Sequence, residues 1–425
     1  MADAQLLSLK TSPIAQTLNE GSSLQKMVYS VRGSLPQVSK NKYSITKSAG
    51  ASNVNFGSNN VKFDLNKYGI MEQMVLKVTI NVDDDDTAKA YHPSTGFGFV
   101  LVKEARLQTH NRTIQTLTPQ YQMSKLMDME EGLKKVVREA INWDTTATTT
   151  ATDGSAPIEV VTYVPLQFSF AKHMSSNIDT QFSESLQLSL DFESRVNCFD
   201  PSTGEPDTSV FTAVELCVYY RNMDAEIYRS LQDKQYNIAD NKALNYIWED
   251  VFTESSGTST STSDGAECAE VSINLNCRNL VKRISILAVG DSKSNGLEGS
   301  EITQVQFWGN GKKIHDFTGR ELVLVNALQS GLGAYSASLS ANNVGGFSAG
   351  DSNEHLYVLD FSYANDQDYY SGGISLKGIS NPQLRLKAIN SGGTSQTITF
   401  KVECEHFNIC SINPMDGRWA VSSNL

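Results

Sequence analysis

Four blocks in the first half of this 425-residue chain recur in the same order in the second, and this repeat limits the available folds more than any other feature. Val61, Leu65 and Asn66 of "VKFDLNKYGIMEQMVL" recur as Val271, Leu275 and Asn276 of "VSINLNCRNLVKRISI", 210 residues on. Ile70, Met74 and Leu76 face Leu280, Ile284 and Ile286 at the same spacing. "LQTHNRTIQTLT" and "FWGNGKKIHDFT" then set Ile114 and Thr118 against Ile314 and Thr318, 200 apart. "LQFSFA" (166–171) and "LDFSYA" (359–364) follow at 193, and Leu188 and Leu190 match Leu384 and Leu386 at 196. Spacing drifts in this way when loops gain and lose residues while strands do not. The order-preserving match marks one unit written twice. Both "LQFSFA" and "LDFSYA" read as a buried strand, with Phe168 and Phe361 facing equivalent cores and Ser169 and Ser362 on the opposite face.

Most segments alternate apolar and polar residues with a period of two, as in "MVLKVTINV", "LQLSLDF" and "ITFKVE". That is the signature of half-buried strands. The loops between them are rich in Gly, Ser, Thr, Asn and Asp. Many strands and few helices predict an all-β sandwich or jelly-roll class. Asn310-Gly311 predicts a type I′ hairpin. Thr318 and Glu321 form a capping box at the start of a helix with Leu322, Val325 and Leu328 on one face. Thr118-Pro119 opens the equivalent helix of the first copy. That helix is expected to run on through Leu126, Met129, Leu133, Val137 and Ile141, with Gly132 as the candidate break. The chain divides into an arm (1–27), a first unit (28–225), a polar and partly helical connection (226–246), and a second unit with a C-terminal tail (247–425). The arm carries enough apolar residues to dock on a partner; a disordered tail is the alternative.

Acidic residues outnumber basic ones, 47 to 35, for a net charge of −12. This excludes a large nucleic-acid footprint, and direct sequence-specific nucleic-acid binding is not expected. No apolar run is long enough to span a membrane, and the N-terminus lacks a secretory signal, so folding inside the cell is expected. The six cysteines are too sparse for a disulfide framework, and buried free thiols are expected. The histidines are scattered, and no catalytic constellation, cofactor or metal is expected. "GNGKK" lacks the ending of a phosphate loop. "DDDD" at 83–86 lacks the glycine of a calcium loop. Cys404, His406 and Cys410 are the best zinc-like cluster, but supply three ligands where structural zinc wants four. The sequon at Asn111 reads as a bare turn in the absence of a secretory signal.

"SGGISLKGISNPQLRL" (371–386) and "NICSINPMDGRWAVSSN" (408–424) narrow the field. They resemble the closing pattern of double jelly-roll major capsid proteins of tailless icosahedral DNA viruses: large and mid-sized DNA viruses, virophages and polinton-like elements. The matching positions are Ser371, Gly372, Ile379, Asn381, Asn408, Ile409, Met415, Gly417, Ser423 and Asn424. Pro382 and Pro414 depart from the pattern. The resemblance implies two tandem eight-stranded jelly rolls with a few short helices in connecting loops. It implies a homotrimer forming a pseudo-hexameric capsomer, neighbouring capsomers as partners, and penton and minor capsid proteins. It further implies contact with an internal membrane through the N-terminal arm, residence in the virion capsid, and assembly inside the host cell. Two other readings are a tandem β-sandwich that binds carbohydrate and a cupin-like metalloenzyme. The first would need clustered Trp and Tyr, and Trp143, Trp248, Trp308 and Trp419 are dispersed; the second would need a His/carboxylate cluster, and none is found.

Overall fold

The structure, a computed structural model, describes residues 38–83, 89–91, 93–94, 96–109, 112–129, 131–142, 149–151, 158–172, 176–199, 208–223, 244–290, 297, 299–329, 356–362, 372–390, 395–413 and 416–422. The 1–27 arm, Asn111, the acidic run after Asp83 and most of the 226–246 connection lie outside these residues. Leu244–Tyr246, expected in the connection, already belong to a strand.

Eight principal strands make up the first half: β1 (Val38–Lys47), β2 (Val61–Asp64), β3 (Ile70–Asp83), β4 (Val102–Thr109), β5 (Thr113–Leu117), β6 (Ile158–Leu166), β7 (Leu186–Phe192) and β8 (Thr208–Met223). They form two antiparallel sheets, ordered β1-β8-β3-β6 and β2-β7-β4-β5. Eight more make up the second half: β9 (Leu244–Thr253), β10 (Val271–Asn274), β11 (Leu280–Gly290), β12 (Ile302–Gly309), β13 (Lys312–Phe317), β14 (Leu356–Asp360), β15 (Gln383–Ala388) and β16 (Gln396–Ile412). Their order, β9-β16-β11-β14 and β10-β15-β12-β13, repeats the first strand for strand. Shorter strands extend the main sheets: Ile178–Asp179 on β3, Ile374–Ser375 on β11, and Gly257–Ser261 and Trp419–Ser422 on β16.

The spacings read from the sequence reappear as strand register. Met74 pairs with Leu166 as Ile284 pairs with Leu359. Leu188 lies between Phe63 and Leu107 as Leu384 lies between Ile273 and Phe307. Even a bulge is duplicated. The register skips Glu72 in β3 opposite β8, and Lys282 in β11 opposite β16. The inward rows of each sheet pair bury Leu76, Leu107, Leu188 and Leu216 in one roll and Ile286, Phe307, Leu384 and Val402 in the other. Packing two sheets face to face is how a jelly roll hides both apolar faces.

The hairpin forms as expected, with Asn310 and Gly311 at φ of 53° and 71°. Thr318 and Glu321 cap each other, Glu321 N donating to Thr318 Oγ1 and Thr318 N to the Glu321 carboxylate. Helix α1 (Pro119–Met127) starts at Thr118, whose hydroxyl accepts from Tyr121 N. Two expectations need correction. The long helix breaks after Met127, not at Gly132, and resumes as α2 (Glu131–Ala140); Asp128 forms the C-cap of α1. Leu133 is 53% exposed, off the expected apolar face. "LQFSFA" is not one strand either: β6 stops at Leu166, and Ser169–Lys172 is a helical turn. Its cause is a polar clasp. Ser169 N and Oγ bond Gln115 and the backbone of Glu249, drawing the chain off the sheet towards the second roll. In "LDFSYA" the strand ends at Asp360, whose carboxylate accepts from Ser362 N and Oγ. Phe168 is fully buried and Phe361 half-buried, and Tyr363 and Ala364 lie outside the described residues.

Candidate functional site at the seam between the rolls

Much of the outward face of the second roll's β9-β16-β11-β14 sheet is covered by the first roll. Leu287, Val289, Leu356 and Val358 on that face join the core of the first roll in one apolar cluster. Beside them α1 of the first roll lies across β11 and β16 through polar side chains. Thr118 Oγ1 donates to Glu403 (2.7 Å), Gln120 Nε2 to Ser285 O and Oγ (3.0 Å each), and Ser124 Oγ to Glu405.

A charge network, buried except for the half-buried Asp128, sits under the helix. Lys125 Nζ reaches both Glu249 and Glu405, the latter at 2.9 Å. Lys282 Nζ donates to the other oxygen of Glu249 at 2.9 Å. Arg283 Nη2 spans both oxygens of Asp128, at 3.0 and 2.8 Å, and its Nε faces Glu405 at 3.4 Å. Three cations balance three anions, which is the condition under which buried charge is tolerated. Burial alone would lower the pKa of Lys125, but Glu249 and Glu405 outweigh it and hold the ammonium charged. Asp128 and Glu405 do the same for Arg283. At the margin the balance tips. Burial pushes the Glu403 carboxyl up to about 7, against the opposing hydrogen bond from Thr118. Burial likewise raises Asp250 to about 6, although Thr116 N, Val251 N and Asn408 donate to it.

Some of the expected family-like positions lie near this seam and others at the far sheet of the second roll. Asn408 is buried and bonds Asp250 at 3.1 Å, and Ile409 beside it is half-buried, paired with Ile247. Gly417, at φ of 71°, packs on the first roll. Its carbonyl accepts from Glu184 N, and a Cβ there would sit 2.7 Å from that nitrogen. Trp419 follows and donates to Ser183 Oγ at 2.7 Å. Asn381 lies at a bend with φ of 53°, Ile379 packs over the β12–β13 hairpin at Gly309, and Gly372 is exposed with φ of 88°. Ser371, Met415, Ser423 and Asn424 lie outside the described residues. Cys404, His406 and Cys410 are not brought together. Cys404 lies in the core of the second roll and Cys410 in the cluster shared with the first. His406 bonds Asn279, and burial lowers it to about 4. Among the described residues no group of His, Cys, Asp or Glu is arranged to hold a metal, and no helix is long and apolar enough to cross a membrane. Trp248 and Trp419 are buried in the seam and present no sugar-stacking face.

Sequence reasoning did not single out Lys125, Asp128, Glu249, Lys282, Arg283 or Glu405. A signal existed: "VKRISI" and "VECEHF" place charge inside strands whose flanks are apolar, where a solvated face would not be so closely bounded.

No protein-family model matches the sequence, and no curated protein matches it significantly. Solved structures do. The PBCV-1 virus capsid superposes with a TM-score of 0.64 at 14% identity, covering 92% of this chain and 98% of that one. The Faustovirus major capsid protein gives 0.59 at 9% identity, covering 96% and 98%. The mavirus major capsid protein gives 0.53 at 11% identity, covering 89% and 90%. Over the described residues this chain has the double jelly-roll fold of those viral capsid proteins.

Proposed function

We propose that this chain is the major capsid protein of an icosahedral virus, a structural protein with no catalytic role. One observation carries the reading: the same eight-strand roll occurs twice in one chain, and the pair superposes over nearly the full length of chains that are themselves capsid proteins. In this reading 28–225 and 247–425 are the two rolls, joined through 226–246. Three chains form a homotrimer whose six rolls make a pseudo-hexameric capsomer, and capsomers tile the shell together with penton and minor capsid proteins. The 1–27 arm contacts neighbours or an internal membrane on the inner side. The shell assembles inside the host cell. The charged seam supports this role by locking two rolls into one rigid plate. Negative-stain imaging and sedimentation of the purified full chain test it. Hexagon-outlined trimers are expected. A chain that stays monomeric at micromolar concentration and never forms trimers or shells overturns the reading.

A further inference from the structure

The duplication gives each seam element a counterpart elsewhere in the same chain. Strand register and helix caps fix the correspondence residue by residue. Helix α3 (Gly319–Gln329) is the counterpart of α1, since Thr318 caps it as Thr118 caps α1. The β1-β8-β3-β6 sheet is the counterpart of the covered β9-β16-β11-β14 sheet. Within the chain α1 is docked on the second roll. Among the described residues its counterpart α3 packs on its own roll alone: Leu324 is 50% and Leu328 76% exposed. The counterpart sheet face is likewise open. Tyr163 is 43% exposed, where its equivalent Leu356 is 2% exposed.

The two sides have changed chemistry together. On α1 the positions that grip the second roll are Ser124, Lys125 and Asp128; on α3 they are Leu324, Val325 and Leu328. On the covered face the receiving residues are Arg283, Ser285, Glu403 and Glu405; on the open face they are Gln73, Val75, Cys217 and Tyr219. At these positions charge meets charge inside the chain, while Leu324, Val325 and Leu328 correspond to Gln73, Val75, Cys217 and Tyr219 on the open face; Lys77 and Glu215 pair further along that face. At the edge, Gln120 lies against the backbone of Lys401; the counterparts are Arg320 and Glu215, of opposite charge.

We infer that α3 of one copy docks on the outward face of β1-β8-β3 of a second copy, with Leu324, Val325 and Leu328 against Gln73, Val75 and Tyr219, and Arg320, which pairs with Glu301 in its own roll, exchanging that partner for Glu215. The inference rests on the trimer reading and supplies its contact. Each chain offers one helix and one face, so the contact is head-to-tail. A head-to-tail contact builds a ring or an open filament rather than a symmetric pair, and on the trimer reading three such steps close the ring of six rolls. Apolar burial drives the contact, with Leu328 the most exposed large apolar side chain of the described residues.

The test uses the full chain. Leu324→Asp with Leu328→Asp is expected to abolish the trimer and leave a folded monomer, since both side chains are exposed. Val196→Asp, at a 59% exposed apolar site away from this contact, should leave the trimer intact. As a second readout, Leu328→Cys with Gln73→Cys places thiols where Asp128 and Arg283 meet inside the chain. Treatment with diamide should give cross-linked species ending at three chains, and Val196→Cys with Gln73→Cys should give none. If the wild type is trimeric, the double Asp variant is equally trimeric and the Cys pair does not cross-link, this contact is wrong while the capsid reading stands. A wild type that stays monomeric overturns both.

Discussion

The two outward sheet faces of this chain are the same surface in two conditions. In the second roll the face lies beneath α1 and carries buried Arg283, Glu403 and Glu405. In the first roll the equivalent positions hold Gln73, Cys217 and Tyr219, and Gln73 is exposed. The backbones agree down to the bulge at Glu72 and Lys282, so the difference lies in what side chains do once a partner covers them. A partner fixed by the covalent chain is always present, so buried ions can be matched to it. On the docking inferred above, the open face waits for its partner in water, and groups that are inexpensive to expose and to bury suit that better.

The largest expected effect comes from breaking the covered face. Arg283→Ala should destabilise the chain by about 3–5 kcal/mol, because it leaves Asp128 and Glu405 buried beside fewer cations. Gln73→Ala at the equivalent site should stay within about 0.5 kcal/mol. Urea unfolding of the pair checks this, and equal costs would erase the distinction between the faces. Making the covered face resemble the open one is the sharper version. Asp128→Leu with Arg283→Met should recover most of the loss, since a buried ion pair can be replaced by apolar side chains at little net cost.

Glu403 gives the next effect, through pH. Its carboxyl titrates near 4.5 when unfolded and at about 7 in the fold. The folded chain therefore binds more protons across that window, and stability falls as pH rises from about 4.5 to 7. Glu403→Gln should be more stable than wild type by about 3 kcal/mol at pH 8 and no different at pH 4. Melting temperatures across that range measure it; a gain independent of pH would place the cause elsewhere. The smallest effect separates the two helix caps. Thr318→Ala should cost about 1 kcal/mol, the usual loss of an N-cap. Thr118→Ala should cost up to about 2 kcal/mol, because its hydroxyl also donates to Glu403. Thermal unfolding of the two single variants ranks them.

The duplication was legible because strand register repeats residue identity: Met74 to Leu166 and Ile284 to Leu359 are neighbours in space at the spacings read along the chain. Asn310-Gly311 and Thr318 with Glu321 were legible because their chemistry is local. The end of β6 was not. Nothing in "LQFSFA" announces that Ser169 will be held by Gln115 and Glu249, 54 and 80 residues away. The seam escaped for a related reason. A charged residue alternating with apolar ones reads as the wet side of a strand, and only the second layer laid over it makes Arg283 and Glu405 interior. Of the closing motif, Gly417 and Asn381 have backbone geometry that accounts for their residue type, and Asn408 finds its partner in Asp250.

The turn at Gly417 and the indole of Trp419 have a consequence for synthesis. They close over Phe182–Glu184, an edge of the first roll, although more than 230 residues separate the two segments. A ribosome delivers the first roll long before the piece that covers this edge. Until then Ser183 and the apolar surface beside it face water or a chaperone. The first roll can thus acquire its sheets early but not its final surface, and a nascent chain that stalls before residue 417 lacks the clasp that joins the two rolls at this edge.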